Sequence, residues 1–256
     1  MVELGPRDAG LVAGLFSGRG DALTASYLQG HMGSAWADSI PCPSSARIIV
    51  GDFCSFAGEP LERLVYDIPP GSSSLLMVPP DAGWSRLIER LHGGRCEKIT
   101  RYAVKKGPGA FDRRTLESYI EKLPPEFRLS MIGEDLYNMS KEDDWSRDLC
   151  SLYPSFESYA EHGLGVMALL GDTPVSGASS YAYYGGGIEI EIDTRSDFRR
   201  RGCALACASK LILECLERGL DPCWDAHDLR SLALAEKLGY RLEREYVTYV
   251  VNRGAA

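Results

Sequence analysis

The stretch IEIEIDTRSDFRRRGCALACASKLILECL, residues 188–216, decides how this chain is read. Its opening alternates isoleucine with acid, so Ile188, Ile190 and Ile192 share one face of a strand and Glu189, Glu191 and Asp193 share the other. A basic loop follows at Arg199, Arg200 and Arg201, and a helix then opens through Gly202, Cys203, Ala204 and Leu205. In this arrangement main-chain N–H groups at the helix start point at an anion, and the helix dipole adds about half a positive charge. Gly202 suits that role because a side chain there would obstruct a close approach, and Ala204 suits it one turn inward. The plainer reading is three arginines capping a solvated turn. Taken alone, the loop favours the plainer reading.

Two familiar phosphate loops are excluded. The chain has no GxxxxGK[ST], and no GxGxxG follows a strand; Gly185 to Gly187 precede theirs and read as a turn. The acidic face carries more information. A central parallel strand covered on both faces is apolar throughout, so three acids on one face mean that this face meets water or a cleft. An edge position explains the alternation equally well, and the adjacent loop tips the choice to a cleft. Glu191 is then the preferred general base, directly or through a water, with Glu189 second.

Around this stretch the pattern gives further elements. The helix runs from about 202 to 218, with Leu205, Ala208, Ile212 and Leu216 at three- and four-residue steps and Gly219 as its stop. A short strand at 222–226, a helix at about 228–238 ending at Gly239, and a strand over 240–251 follow. Upstream, 164–170 and 174–184 flank the turn residues GDTP and form a hairpin. FRLSMIGE, 127–134, is a strand, and 136–161 holds one or two helices. In the first half, 46–50, 74–80 and 97–106 read as strands, and 82–92 and 112–123 as helices. The prolines in KLPPEFRLS, 122–130, mark a seam, which divides the chain into a smaller mixed α/β domain, 1–125, and a second domain, 126–256. No internal repeat shows at a solenoid period.

Composition sets limits. The 256 residues are 45% hydrophobic and 25% charged, a globular balance long enough for one large core or two modest ones. The net charge of −8 repels a phosphate backbone, so nucleic acid is not an expected partner. The Met1 end lacks the features of a cleaved leader and no run reaches the ~20 apolar residues that span a bilayer, so a cytoplasmic protein without membrane partners is expected. Eight cysteines form no CxxC pair and read as small buried hydrophobes; Cys203 and Cys207 stand at i, i+4, but no histidine nearby completes a metal set, and no metal is expected.

Arg199-Arg200-Arg201-Gly202-Cys203-Ala204 matches the [R/Q]-x-x-G-x-[G/A] signature, and with IEIEIDT before it and CWDAHDLRSLALAEKLGY after it the chain resembles the GNAT N-acetyltransferase superfamily. GDFCSFAGEP, 51–60, extends the likeness to the branch that includes zwittermicin A resistance-type acetyltransferases. The resemblance implies an α/β (α+β) fold, a mixed central sheet flanked by helices over 126–256. It also implies acetyl-CoA as cosubstrate, with its diphosphate on the main chain of residues 200–205 and its pantetheine arm along Ile192, Asp193 and Thr194, beside a bulge. Ser231 stands where relatives place a hydroxyl or amide near the coenzyme, and His227 where many carry asparagine. The tyrosine that many members use to protonate the thiolate is replaced by Ala235; Tyr240, Tyr246 and Tyr249 are the remaining hydroxyls nearby in sequence, each also readable as a packed strand aromatic.

The reaction implied is direct transfer of an acetyl group to a primary amine of a small molecule, an antibiotic-type amine among the candidates, with the acidic face attracting the cation. Strand N–H groups near Asp193 and Thr194 are the expected oxyanion donors. The N-terminal half would cover the acceptor or mediate a homodimer. Two other readings use the same loop: a non-catalytic acyl-CoA sensor, suggested by Ala235, and a nucleotide-binding regulatory domain.

Overall fold

A computed structural model describes residues 1–68 and 74–252. In chain order the first half supplies β1 (Val2–Leu4), α1 (Ala9–Ala13), α2 (Ala22–Leu28), β2 (Ser34–Ala37), β3 (Ser45–Val50), β4 (Phe53–Gly58), α3 (Glu62–Tyr66), β5 (Ser74–Val78), α4 (Ala82–His92) and β6 (Cys96–Lys106). Then follow α5 (Arg113–Glu121), β7 (Phe127–Met131), α6 (Glu134–Glu142), α7 (Phe156–His162), β8 (Gly165–Leu170), β9 (Thr173–Tyr184) and β10 (Gly187–Thr194). The chain closes with α8 (Cys203–Arg218), β11 (Asp221–Cys223), β12 (Asp225–Ala226), α9 (Leu229–Leu238) and β13 (Tyr240–Asn252). Among the described residues no helix is long and apolar enough to cross a membrane.

The chain divides into two units, but not at the proline seam. One holds Met1–Arg101 and takes back the chain from Glu245 onward; the other is Tyr102–Arg244. The expected boundary at 125/126 therefore lies inside the second unit. The physical reason is α5, which packs on α8 and adds Leu116 to that unit's core, so the prolines after α5 connect neighbours instead of separating domains.

In the first unit the strands lie in the order β1-β2-β3-β4-β5, with Tyr249–Asn252 of β13 pairing antiparallel with Ser74–Met77 of β5. Its core gathers Phe56, Leu64, Leu75, Met77, Trp84, Ile88, Tyr249 and Val251. In the second unit the order is β11-β10-β9-β8-β7. The β8–β9 hairpin turns at Gly171 and Asp172, as GDTP predicts. One face of this sheet, carrying Val166, Ala168, Val175, Ala178, Ile188 and Ile190, buries against Cys203, Cys207, Ala208, Leu211 and Ile212 of α8. Each valine, leucine or isoleucine among them contributes about 1.5–3 kcal/mol on burial, so α8 is fixed against the sheet by its apolar stripe and stopped by Gly219, whose φ is +68°. The cysteines follow the expected buried pattern only in part: Cys54, Cys150, Cys203, Cys207 and Cys215 are buried, whereas Cys42 is exposed.

Candidate active site

β10 is paired on one side only for most of its length. β9 accompanies it from Gly187 to Thr194, but β11 runs parallel to it only at Gly187–Glu189, beside Asp221–Cys223. β12 pairs instead with Tyr102 and Ala103 of β6. Among the described residues β10 therefore has no strand on its outer side from Ile190 onward, the edge position that was one of the two sequence explanations of the alternation. The bulge expected beside it lies on the partner strand: Glu189 opposes Ala182 and Ile190 opposes Ser180, leaving Tyr181 of β9 as the extra residue.

The hydrogen-bond alternation of an antiparallel pair assigns each main-chain group to a side. Ser180 N–H donates away from β10, to Leu164 O at 2.8 Å, and Arg195 N–H donates to Val175 O at 3.0 Å. Glu191, Asp193 and Arg195 thus turn their main chain to β9, where Asp193 O accepts from Ser176 Oγ at 3.1 Å. Ile190, Ile192 and Thr194 turn theirs to the open edge. This corrects the expectation for Asp193, whose N–H is not available to a ligand along that edge. Ile192 N–H is partly engaged, donating to Glu191 Oε1 at 3.2 Å.

The side chains divide as the alternation predicts. Ile188 and Ile190 are buried on the α8 face, and Glu189, Glu191 and Asp193 are half-buried on the other. Asp193 faces Gly177 of β9, on which Leu149 packs from the 3-10 turn Arg147–Leu149. Burial pushes the Asp193 carboxyl up to about 6; the neighbouring Asp148 charge adds to this, and Arg199 opposes it.

The loop after β10 is organised around Phe198. The Arg195 and Arg201 guanidinium groups lie 4.4 Å and 4.9 Å from its ring centroid, and Arg195 also grips Asp197 through two 2.8 Å bonds. Arg201 thus stacks on an aromatic, while Arg199 reaches back to Thr194 O at 3.4 Å and Arg200 is exposed. Arg200 and Gly202 both adopt left-handed φ, +62° and +84°. A Cβ at Gly202 would meet no protein atom within 4 Å, so within the protein itself it is the left-handed conformation that favours glycine there. No side chain of another residue caps α8; among the described residues the amides of Gly202, Ala204 and Leu205 donate to no protein group, and the Cys203 amide meets only its own thiol. Cys203 turns its thiol into the core, so only its main chain faces this opening.

At α9 the N-terminus is closed by the protein itself. Asp228 accepts from the amides of Arg230 and Ser231, both at 2.9 Å. Ser231 Oγ accepts from Trp224 Nε1 at 3.1 Å and keeps its own O–H to donate. His227 is exposed, just before this cap. The hydroxyls considered in place of Ala235 are committed elsewhere: Tyr240 donates to Pro222 O at 2.9 Å from a buried site, and Tyr249 donates to Glu89 in the first unit. Tyr246 also belongs to that unit. Sequence reasoning missed Asp148 and Trp224, because their places depend on a 3-10 turn and a short strand brought in from elsewhere in the chain.

The arrangement is an open strand edge leading to free helix-start amides, a place for an extended ligand with an anionic end. The model of the GNAT acetyltransferase family matches residues 13–249. The chain is 28% identical over 235 residues to the uncharacterized N-acetyltransferase YdfB of Bacillus subtilis, 85% of each protein. It is 42% identical to a GCN5-related N-acetyltransferase-like protein from Streptococcus suis, whose crystal structure matches with a TM-score of 0.90 over 96% of this chain and 99% of that one. A tandem GNAT protein from the clavulanic acid biosynthesis pathway shares the fold, at 10% identity and a TM-score of 0.57, over 100% of this chain and 98% of that one. Matched by the family model over nearly its whole length, the chain belongs to the GNAT acetyltransferase family and is an N-acetyltransferase.

Proposed function

We propose that the second unit transfers the acetyl group of acetyl-CoA to a primary amine of a small molecule. The observation that carries this reading is the set of amides of Gly202, Ala204 and Leu205 that find no acceptor among the described residues, placed beyond the stretch of β10 that β11 leaves uncovered. Acetyl-CoA supplies a thioester carbonyl open to attack by a neutral amine. The main chain of residues 200–205 binds its diphosphate, Arg199 and Arg200 add charge at the rim, and the edge groups of Ile192 and Thr194 hold the pantetheine arm. The donor for the developing oxyanion is Ile192 N–H, released from Glu191 when the arm enters. Ser231 donates from a hydroxyl fixed by Trp224.

Asp193 is the general base of this proposal. Sequence alone favours Glu191, then Glu189, but Asp193 has a carboxyl whose pKa near 6 suits accepting a proton from an ammonium near neutrality. Glu189 and Glu191 share its face and make the acceptor side attractive to a cation. The likeness to zwittermicin A resistance-type enzymes favours an antibiotic-type amine among such acceptors.

Calorimetric titration with acetyl-CoA tests the reading. Saturable heat, competed by coenzyme A and not by ATP, is expected; no heat at millimolar ligand refutes it. The sensor alternative retains one observation in its favour, the methyl of Ala235 buried where relatives carry a hydroxyl. Release of free thiol with a panel of amines, abolished in Asp193→Asn, separates the two, since a sensor binds without turnover.

A further inference from the structure

Two successive series of elements in the chain repeat one plan, with α5 standing between them. The first series runs β1, α1, α2, β2, β3, β4, α3, β5, α4, β6, and the second runs β7, α6, α7, β8, β9, β10, α8, β11, α9, β13, with only short β12 interposed. The sheet orders β1-β2-β3-β4-β5 and β7-β8-β9-β10-β11 coincide. In each, every neighbouring pair is antiparallel except the last, β4–β5 and β10–β11, which is parallel over three residues. The helices after β5 and β11 open alike: Asp81 accepts from the amides of Gly83 and Trp84 as Asp228 does from those of Arg230 and Ser231.

These matches set up a residue-by-residue comparison. Trp84 and Ser231 both stand three positions after the capping aspartate. The parallel contact ends at Ser55 on β4 and at Glu189 on β10, so Gly58 and Ile192 both lie three residues beyond it. In the second unit Ile192 is one of the groups on the open edge. In the first, Trp84 Nε1 donates to Gly58 O at 2.8 Å, its ring stacks on Phe56 at 4.6 Å, and the side chain is fully buried.

The segment corresponding to the basic loop is also unsuited to an anion. It reads Glu59-Pro60-Leu61-Glu62 and enters α3, which has 5 residues against 16 in α8. Pro60 has no N–H, Glu59 N–H is spent on Ser44 O at 3.3 Å, and Glu59 adds a negative charge where the second series carries arginines.

From this correspondence we infer that the first unit is a second lobe of the same architecture whose coenzyme cleft is filled by Trp84, so that each chain takes up one coenzyme A molecule and not two. The inference rests on the coenzyme reading of the second unit. Calorimetry of coenzyme A with the full chain is expected to give one site per chain, and Gly202→Val to weaken that site at least tenfold with no second isotherm left behind. Two sites per chain, or a full-strength site surviving in Gly202→Val, overturns it. Absence of any uptake refutes the coenzyme reading itself, and with it the count of one. A ligand-free measurement then tests the filled cleft separately: the Trp84 indole N–H is expected to resist hydrogen exchange to the same degree with and without coenzyme A. Rapid exchange, or protection that appears only with the ligand, overturns the assignment of Trp84 as the occupant.

Discussion

Three acids alternate along β10, and burial pushes the carboxyl of one of them, Asp193, up to about 6, a value useful near neutrality. Alternation puts Glu189, Glu191 and Asp193 on one face, a fact legible from the sequence; the surroundings of Asp193 depend on the turn some 45 residues earlier, which brings Leu149 over Gly177 and the Asp148 charge beside the carboxyl. Replacing Asp193 with Asn is expected to lower kcat/KM by roughly 10²–10⁴. It should also remove the rise in kcat/KM through about pH 6 expected of the unsubstituted enzyme, as followed by thiol release across pH 5 to 8. Stability carries the opposite sign. A carboxyl raised in the folded state favours its protonated form there, so its contribution is fully present below the ordinary value of 3.8 and is lost as pH rises through about 6. Urea unfolding should therefore show the enzyme losing stability relative to Asp193→Asn between pH 4 and 7. A difference that stays flat across that range would mean that Asp193 is not desolvated. Ser231→Ala makes a second residue-level case: it leaves the mostly buried Trp224 N–H without its acceptor, at a cost of about 1–3 kcal/mol, read as a lowered Tm before any ligand is added.

At the scale of elements, the strand, loop and helix of residues 188–216 form in the order their residues dictate. The apolar positions of α8 meet the isoleucine face of β10, and the end of the loop places the amides of Gly202, Ala204 and Leu205 where no group among the described residues accepts from them. Gly202 holds a φ of +84°, a region where a β-branched side chain is strained by about 1–2 kcal/mol. Gly202→Val should thus weaken acetyl-CoA binding by deforming the amide set, more than it lowers the melting temperature of a unit whose core it does not touch; calorimetry paired with thermal unfolding separates the two effects. The free edge of β10 is harder to foresee. It exists because β11 ends after three paired residues and β12 turns to β6, and neither event has a local signal in CWDAHD.

Across the whole molecule, the two halves of the sequence do not correspond to two independent folding units. Tyr249–Asn252 pair with β5, and Tyr249 and Val251 are fully buried in the first unit's core, so that unit is complete only when the last strand of the chain has returned to it. Ending the chain after Arg244 should cost the first unit its cooperative thermal transition, and residues 1–125 alone should show no such transition by circular dichroism; a sharp transition in either would refute this interdependence. The sequence by itself determined the strand, basic loop and helix of 188–216, the hairpin before them, the paired helix and strand after them and the family they resemble, because alternation, helical spacing, turn residues and the signature are local. The tertiary structure alone decided where the units divide, how Asp193 is desolvated, which edge is left open and what buries Trp84, because each of these follows from contacts between residues far apart in the chain, and burial there changes hydrogen-bond partners and protonation in ways no neighbouring residue encodes.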